Sequence, residues 1–218
     1  MIIRHKSKSS GICYQVNDYV LLDFLKKSQK SLDFGIVPAY GVIHKFKGFW
    51  ETHFIRGIPD SLLNNIGDLS ESKIIKDEPP SKGRAFENYL KHLKNATEVF
   101  HATSSTNSIQ LNAIIQRLKD NVPVEFVYTN DVSKSDEFIE KIDELKKYKK
   151  LKPMVIQYDI KVGLTVTDTF LSFGLYKFDG TCIDCDEDLF SYDQKAIDWG
   201  RRLFEHYKAI SIPQEFPR

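Results

Sequence analysis

The sequence predicts an α/β protein whose mixed sheet is flanked by helices. Two observations carry this. Short apolar runs of strand length alternate with stretches in which apolar residues recur every three or four positions, and parallel neighbours in such an order need helical crossovers. The runs at 164–168 and 170–178 read as a β-hairpin or as two further strands of the sheet. With 41% hydrophobic and 12% aromatic residues among 218, the chain can bury a core without metal or disulfide.

Tyr14, Gln15 and Val16 read as the end of a short strand. Val20, Leu21, Phe24, Leu25, Ser28 and Leu32 fall on one face of an amphipathic helix. Gly35, Pro38 and Gly41 interrupt it, and an apolar, aromatic pattern resumes over Val42 to Phe54. A domain boundary falls near 35 to 57, dividing the chain into residues 1–50 and 51–218. A short helix over Asp60 to Ile66 and a strand at Lys73 to Ile75 precede the Pro79-Pro80 break.

Beyond the break, Phe86, Tyr89, Leu90 and Leu93 mark a helix over Arg84 to Asn95, and Glu98 to Ala102 a strand. Thr103 to Asn107 is a cap-rich turn. Ile109 to Leu118 is helical, Pro123 to Tyr128 extended, and Phe138 to Tyr148 helical. Pro153 to Tyr158 supplies a third strand. Ala196, Ile197, Trp199, Gly200, Leu203, Phe204 and Tyr207 form a closing helix.

Thirty-one Lys and Arg against thirty Asp and Glu leave a net charge of +1, so no overall field draws the chain to nucleic acid or membrane. The first fifty residues hold eight bases and three acids, a local excess. A polar N-terminus and three cysteines point to a reducing, cytoplasmic setting with no membrane partner.

No Gly-x-Ser-x-Gly elbow and no Gly-rich phosphate loop is present. A phospholipase-type phosphodiesterase needs His-x-Lys-x4-Asp. His92 and Lys94 match two positions, but Val99 stands where Asp belongs, and the pair sits in an amphipathic helix. Cys182 and Cys185 have the spacing of half a zinc knuckle, yet no second ligand pair follows. Tetrahedral structural zinc needs four ligands, so the segment with Asp184, Asp186, Glu187 and Asp188 reads as a solvated acidic loop. His53 reads as a structural histidine. Neither metal nor cofactor is expected.

The stretch His101-Ala-Thr-Ser-Ser-Thr-Asn107 lies where a buried strand meets a helix. Free backbone N–H groups and the positive helix end collect there, and open α/β sheets bind ligands at the carboxyl ends of their strands. The expected pocket comprises His101, Ser104, Ser105, Thr106, Thr129 and Asp168, and its ligand is anionic or hydroxylated. Simple N-capping by the hydroxyls is the competing explanation.

Three blocks carry a family resemblance: IRGIPDSLLNNIGDL at 55–69, FHATSSTNSIQLNAIIQRLKDNVPVEFVYTNDV at 100–132, and VGLTVTDTFLSFGLYKFDG with DLFSYDQKAIDWGRRLFEHYK between 162 and 208. Together, across about residues 48 to 210, they resemble the middle domain of the methanogen FilR-type transcription regulators. The resemblance implies an ArsR-like winged helix-turn-helix ahead of an α/β effector domain similar to a phospholipase half-barrel without its catalytic motif. It also implies a regulator of transcription that senses a small-molecule effector without being an enzyme, and the apolar, aromatic helices at 19 to 32 and 42 to 54, with little core of their own to cover, are expected to form a homodimer interface. Ile12 to Val16 resembles the last strand of the wing and Val20 to Phe34 the linker helix. No segment corresponds to a recognition helix, so DNA contact is expected only through a complete or separate winged-helix domain. A phosphodiesterase and a ligand-free interaction module are the alternatives.

Overall fold

The computed structural model describes residues 36–78, 83–178 and 183–214. The strand expected at Tyr14 to Val16, the helix at Val20 to Leu32, the Pro79-Pro80 break and Cys182 lie outside these residues.

The centre is an eight-stranded sheet in the order β1-β7-β6-β5-β2-β3-β4-β8. Its strands are β1 (Lys73–Lys76), β2 (Val99–Thr103), β3 (Val124–Thr129), β4 (Leu151–Ile156), β5 (Val162–Thr167), β6 (Leu171–Leu175), β7 (Glu187–Ser191) and β8 (Ile212–Pro213). β2, β3 and β4 run parallel, and every other pairing is antiparallel. The mixed sheet follows the expectation, including the β5–β6 hairpin, whose register sets Leu164 opposite Phe173.

Helices cover both faces. On one side lie α1 (Ile36–Lys45), α2 (Lys47–Thr52), α3 (Asp60–Leu63), a 3-10 turn at Ile66–Leu69, and the closing helix α8 (Gln194–Ala209). On the other lie α4 (Arg84–Leu93), α5 (Ser108–Lys119), α6 (Asn130–Ser133) and α7 (Asp136–Leu145). Strand alternation feeds two cores. Ala102, Val127, Leu164 and Phe173 pack under α8, while Val99, Phe126 and Tyr128 pack under α4, α5 and α7. Side chains start the helices where the sequence offers them: Asn107 accepts from Gln110 N–H (2.8 Å), and Asp193 from Lys195 N–H (2.9 Å).

α8 carries much of the first core. Trp199 is fully buried, crosses Phe173 edge-on at 5.4 Å, and donates its indole N–H to the Leu62 carbonyl at 3.0 Å. At the next residue, a Cβ on Gly200 would stand 2.6 Å from Leu171 Cδ1, so α8 meets the sheet as closely as a glycine allows.

Residues 42–54 behave otherwise than expected from their isolated apolar pattern. Val42, Phe46, Phe49 and Trp50 join the same core as α8 and the sheet, so this apolar surface is covered within the chain and offers no support for a dimer interface. The acidic segment also needs correction. Glu187 and Asp188 enter strand β7, Asp184 has a side chain only 4% exposed, and Ser172 donates to Asp188 Oδ2 at 2.6 Å. Sequence polarity concealed this strand because its acids are met by Lys76 and Ser172 and not by water alone.

Burial pushes the Asp188 carboxyl up to about 7 from 3.8. The folded state thus holds this proton more tightly than the unfolded chain, so the contribution to stability is full below about pH 3.8 and is lost as pH rises through about 7. Accordingly, the stability of Asp188→Asn relative to wild type should increase between pH 4 and 8. Urea midpoints at the two ends of that range check it, and a constant difference would contradict the burial argument.

Candidate functional site

The six residues expected to form a pocket fall into separate places. His101 lies within β2 on the α4 and α5 side, 1% exposed, with Nδ1 2.7 Å from Thr165 Oγ1 and its ring 5.1 Å from that of Phe126. Burial pushes its imidazole down to about 4, so it stays neutral at ordinary pH and does not report a ligand's charge from a sheet edge.

Asp168 follows β5, which is antiparallel to β2, and so lies at the opposite end of the sheet from the 104–107 turn. Its Oδ1 accepts from Thr97 N–H at 3.0 Å, tying down the entry to β2. The alternation of strand faces and the direction of β5 together exclude a single pocket holding His101, Ser104 and Asp168.

The 104–107 turn is built from local bonds. Thr103 Oγ1 bonds the Ser105 carbonyl, Thr106 Oγ1 donates to Gln110 Oε1 at 3.2 Å, and Asn107 alone caps α5. Capping therefore does not account for Ser104 and Ser105. Ser104 is 7% exposed, and its N–H donates to the Val162 carbonyl at 3.0 Å. Thr129, at the end of β3, is 1% exposed, and its hydroxyl has no hydrogen-bond partner among the described residues.

Beyond the carboxyl end of β4 a crevice of about 190 Å³ opens; Ser104 and Thr129 do not line it, though the Ser104 hydroxyl reaches Asp159. Arg56, Tyr158, Asp159, Lys161 and His206 line it, with Tyr207 among them. Three chain segments meet there. Gly57 lets the first approach, since a Cβ at this position would lie 2.1 Å from the Ile160 carbonyl oxygen. Tyr207 fixes it by donating to the Gly57 carbonyl at 2.7 Å. The second is the turn after β4, in which Asp159 Oδ1 accepts from Lys161 N–H at 2.9 Å and Lys161 takes a left-handed backbone, φ 57°. The third is the last turn of α8.

The electrostatics of the crevice are mixed. Burial works against the Asp159 charge, but Lys161, with help from the Ser104 hydroxyl, holds the carboxyl below its ordinary range. Lys161 Nζ is 2.5 Å from Asp159 Oδ2 and 4.4 Å from the centre of the Tyr176 ring. Arg56 has no ion pair among the described residues, and Tyr158 is 56% exposed. The site offers a guanidinium, an imidazole, an ammonium–carboxylate pair and an aromatic face.

The crevice is lined by Arg56, Asp159, Lys161 and His206, which sequence reasoning did not single out, and not by Ser104 or Thr129. A signal existed: Gly57-Ile-Pro59 demands a close backbone approach, and Asp159-x-Lys161 directly after a strand is a turn. Neither shows which turn meets which helix end.

The chain is thus a mixed α/β domain of the phospholipase D type by fold. NucT from Helicobacter pylori superposes with a TM-score of 0.52 at 16% identity, over 66% of this chain and all of that one. The phospholipase D family member Nuc from Salmonella typhimurium does so with a TM-score of 0.52 at 13% identity, over 67% of this chain and all of that one. The family model for the middle domain of the methanogenesis regulatory protein FilR1 matches residues 83–210, and the chain belongs to this family. The methanogenesis regulatory protein FilR1 of Methanothrix harundinacea (strain 6Ac) is 27% identical over 170 residues, 73% of this chain. The chain covers 37% of that protein.

Proposed function

We propose that this chain is the effector-sensing part of an archaeal transcription regulator acting in methanogenesis control, and that it works by binding a small molecule and not by turnover. The crevice beyond the carboxyl end of β4 carries this reading: it sets Arg56, which has no ion pair among the described residues, beside His206 and the Asp159–Lys161 pair in the place where open α/β sheets receive ligands. The ligand is a small anionic or hydroxylated molecule. Ser105 and Thr106 follow Ser104, whose hydroxyl reaches Asp159, in the turn before α5, and His101 lies against Thr165 and Phe126 on the opposite face of the sheet.

A non-enzymatic role is supported by the sequence. His92-x-Lys94 lies on α4, and the His92 Nε2 meets the Tyr192 hydroxyl at 2.7 Å instead of opening onto the crevice. Among the described residues no helix is long and apolar enough to cross a membrane. The proposed assembly is a homodimer in the cytoplasm that reaches DNA through a winged-helix domain, with the amphipathic pattern of Val20 to Leu32 as the interface.

Thermal-shift screening of dicarboxylates, sugar phosphates and inorganic phosphate tests the reading. A ligand bound only by the folded state at a hundred times its Kd stabilises by about 2.7 kcal/mol. Arg56→Ala should weaken that ligand at least tenfold while leaving the unliganded melting temperature nearly unchanged, because Arg56 is exposed. Turnover of a generic phosphodiester, with no ligand stabilisation, would overturn it.

A further inference from the structure

We propose that His53, Asp184 and Glu187 form a site for a divalent first-row transition metal where the helical layer joins the sheet. One imidazole nitrogen and two carboxylate oxygens, all from buried groups, lie within 4.8 Å of one another. His53 follows α2 and bridges to Lys177 beyond β6, while Asp184 and Glu187 lead into and begin β7. His53 lies three positions before Arg56 in the chain, but none of the three donors lines the crevice.

The hydrogen bonds on the histidine point to a cation. Its Nδ1 lies 2.8 Å from the Phe49 carbonyl oxygen, which can only accept, so Nδ1 carries a proton. In the neutral ring Nε2 then presents a lone pair to Asp184 Oδ2, another acceptor, at 3.2 Å. Two acceptors at that distance need positive charge between them, supplied by a second ring proton or by a metal. The adjoining Glu187 favours the metal, which uses all three donors. A ring N–H held by a backbone carbonyl is the usual support of a metal-bound histidine, and one nitrogen with two carboxylates suits zinc, manganese or iron.

Donors each about 2.1 Å from one ion stand at most about 4.2 Å apart, so the widest pair must close by roughly half an ångström. Lys177 Nζ contacts Asp184 Oδ2 at 2.8 Å and Lys76 Nζ contacts Glu187 Oε2 at 3.3 Å. These ammoniums compete with the metal. Both are on side chains 40% and 63% exposed and can withdraw into solvent, whereas the three donors cannot.

Chelator-treated protein titrated with Co²⁺ and Zn²⁺ tests the site, read by visible ligand-field absorption, by calorimetric stoichiometry and by melting temperature. One equivalent should bind and raise the melting temperature. Glu187→Gln should weaken binding by about tenfold or more. Lys177→Ala should strengthen it several-fold by removing the competing ammonium. A purely structural ion-pair cluster predicts the reverse for Lys177→Ala: a lower melting temperature and no metal uptake. Because His53 is buried and its variants can fail to fold, the Lys177 variant keeps the test open. Absence of saturable 1:1 binding in both wild type and Lys177→Ala overturns the proposal, as does binding that Glu187→Gln leaves intact.

Discussion

Trp199→Ala should lower stability by about 4 kcal/mol, the usual range for removing a buried aromatic being about 3–5 kcal/mol. Two losses combine. The indole is fully enclosed between Phe173 and the α3 region, so its removal leaves a cavity in the core shared by α8 and the sheet. Its N–H also satisfies the Leu62 carbonyl, which would be left without that donor. For a chain of this size the melting temperature should fall by roughly 8–16 °C, at about 2–4 °C per kcal/mol. Trp199→Phe should recover most of the packing term and none of the hydrogen bond. Calorimetry on the three proteins separates the contributions, and equal losses from Phe and Ala would show that the hydrogen bond dominates.

Gly57→Ala should be comparably severe, by about 3 kcal/mol, the upper end of ordinary overpacking. The added methyl would meet the Ile160 carbonyl oxygen at 2.1 Å and Val162 Cγ2 at 2.9 Å. The first is backbone on the turn that holds Asp159 and Lys161, so it cannot move aside as the end of a side chain could. The damage therefore reaches the crevice: the Tyr207 hydroxyl loses its carbonyl partner and the Arg56 and Lys161 segments separate. The expected outcome is a lowered melting temperature together with lost ligand stabilisation, unlike Arg56→Ala, which should affect binding alone. A Gly57→Ala protein with native affinity would show that the crevice tolerates the displacement.

Much of the sheet was legible because its strands are apolar on both faces and its helices are amphipathic. Val124 to Thr129 and the run Ala196 to Tyr207 leave little choice of element type. β7 was not legible, since Glu187 and Asp188 read as solvent-facing until Lys76 and Ser172 are brought against them. The ligand site was legible only in part for a related reason. Ser104 and Thr129 lie at the ends of consecutive parallel strands, where a general rule about strand ends places candidates, but neither lines the crevice. Arg56, Asp159 and His206 come from segments separated by 103 and 47 positions in the chain, and only the packing of α8 and the closeness permitted by Gly57 assemble them. Asp168 misled because an acid after a strand looks the same at either end of a sheet, and the direction of β5 was not fixed by its residues.

The ends of the strand order bear on how copies of this chain can associate. An outer strand with free N–H and C=O groups invites another chain to add itself, and proteins block this with charge, proline or brevity. Both borders here have such blocks. β1 spans four residues and begins and ends with exposed Lys73 and Lys76, while β8 covers two residues and its Pro213 has no N–H to offer. Neither border suits strand exchange or continuous intermolecular ladders.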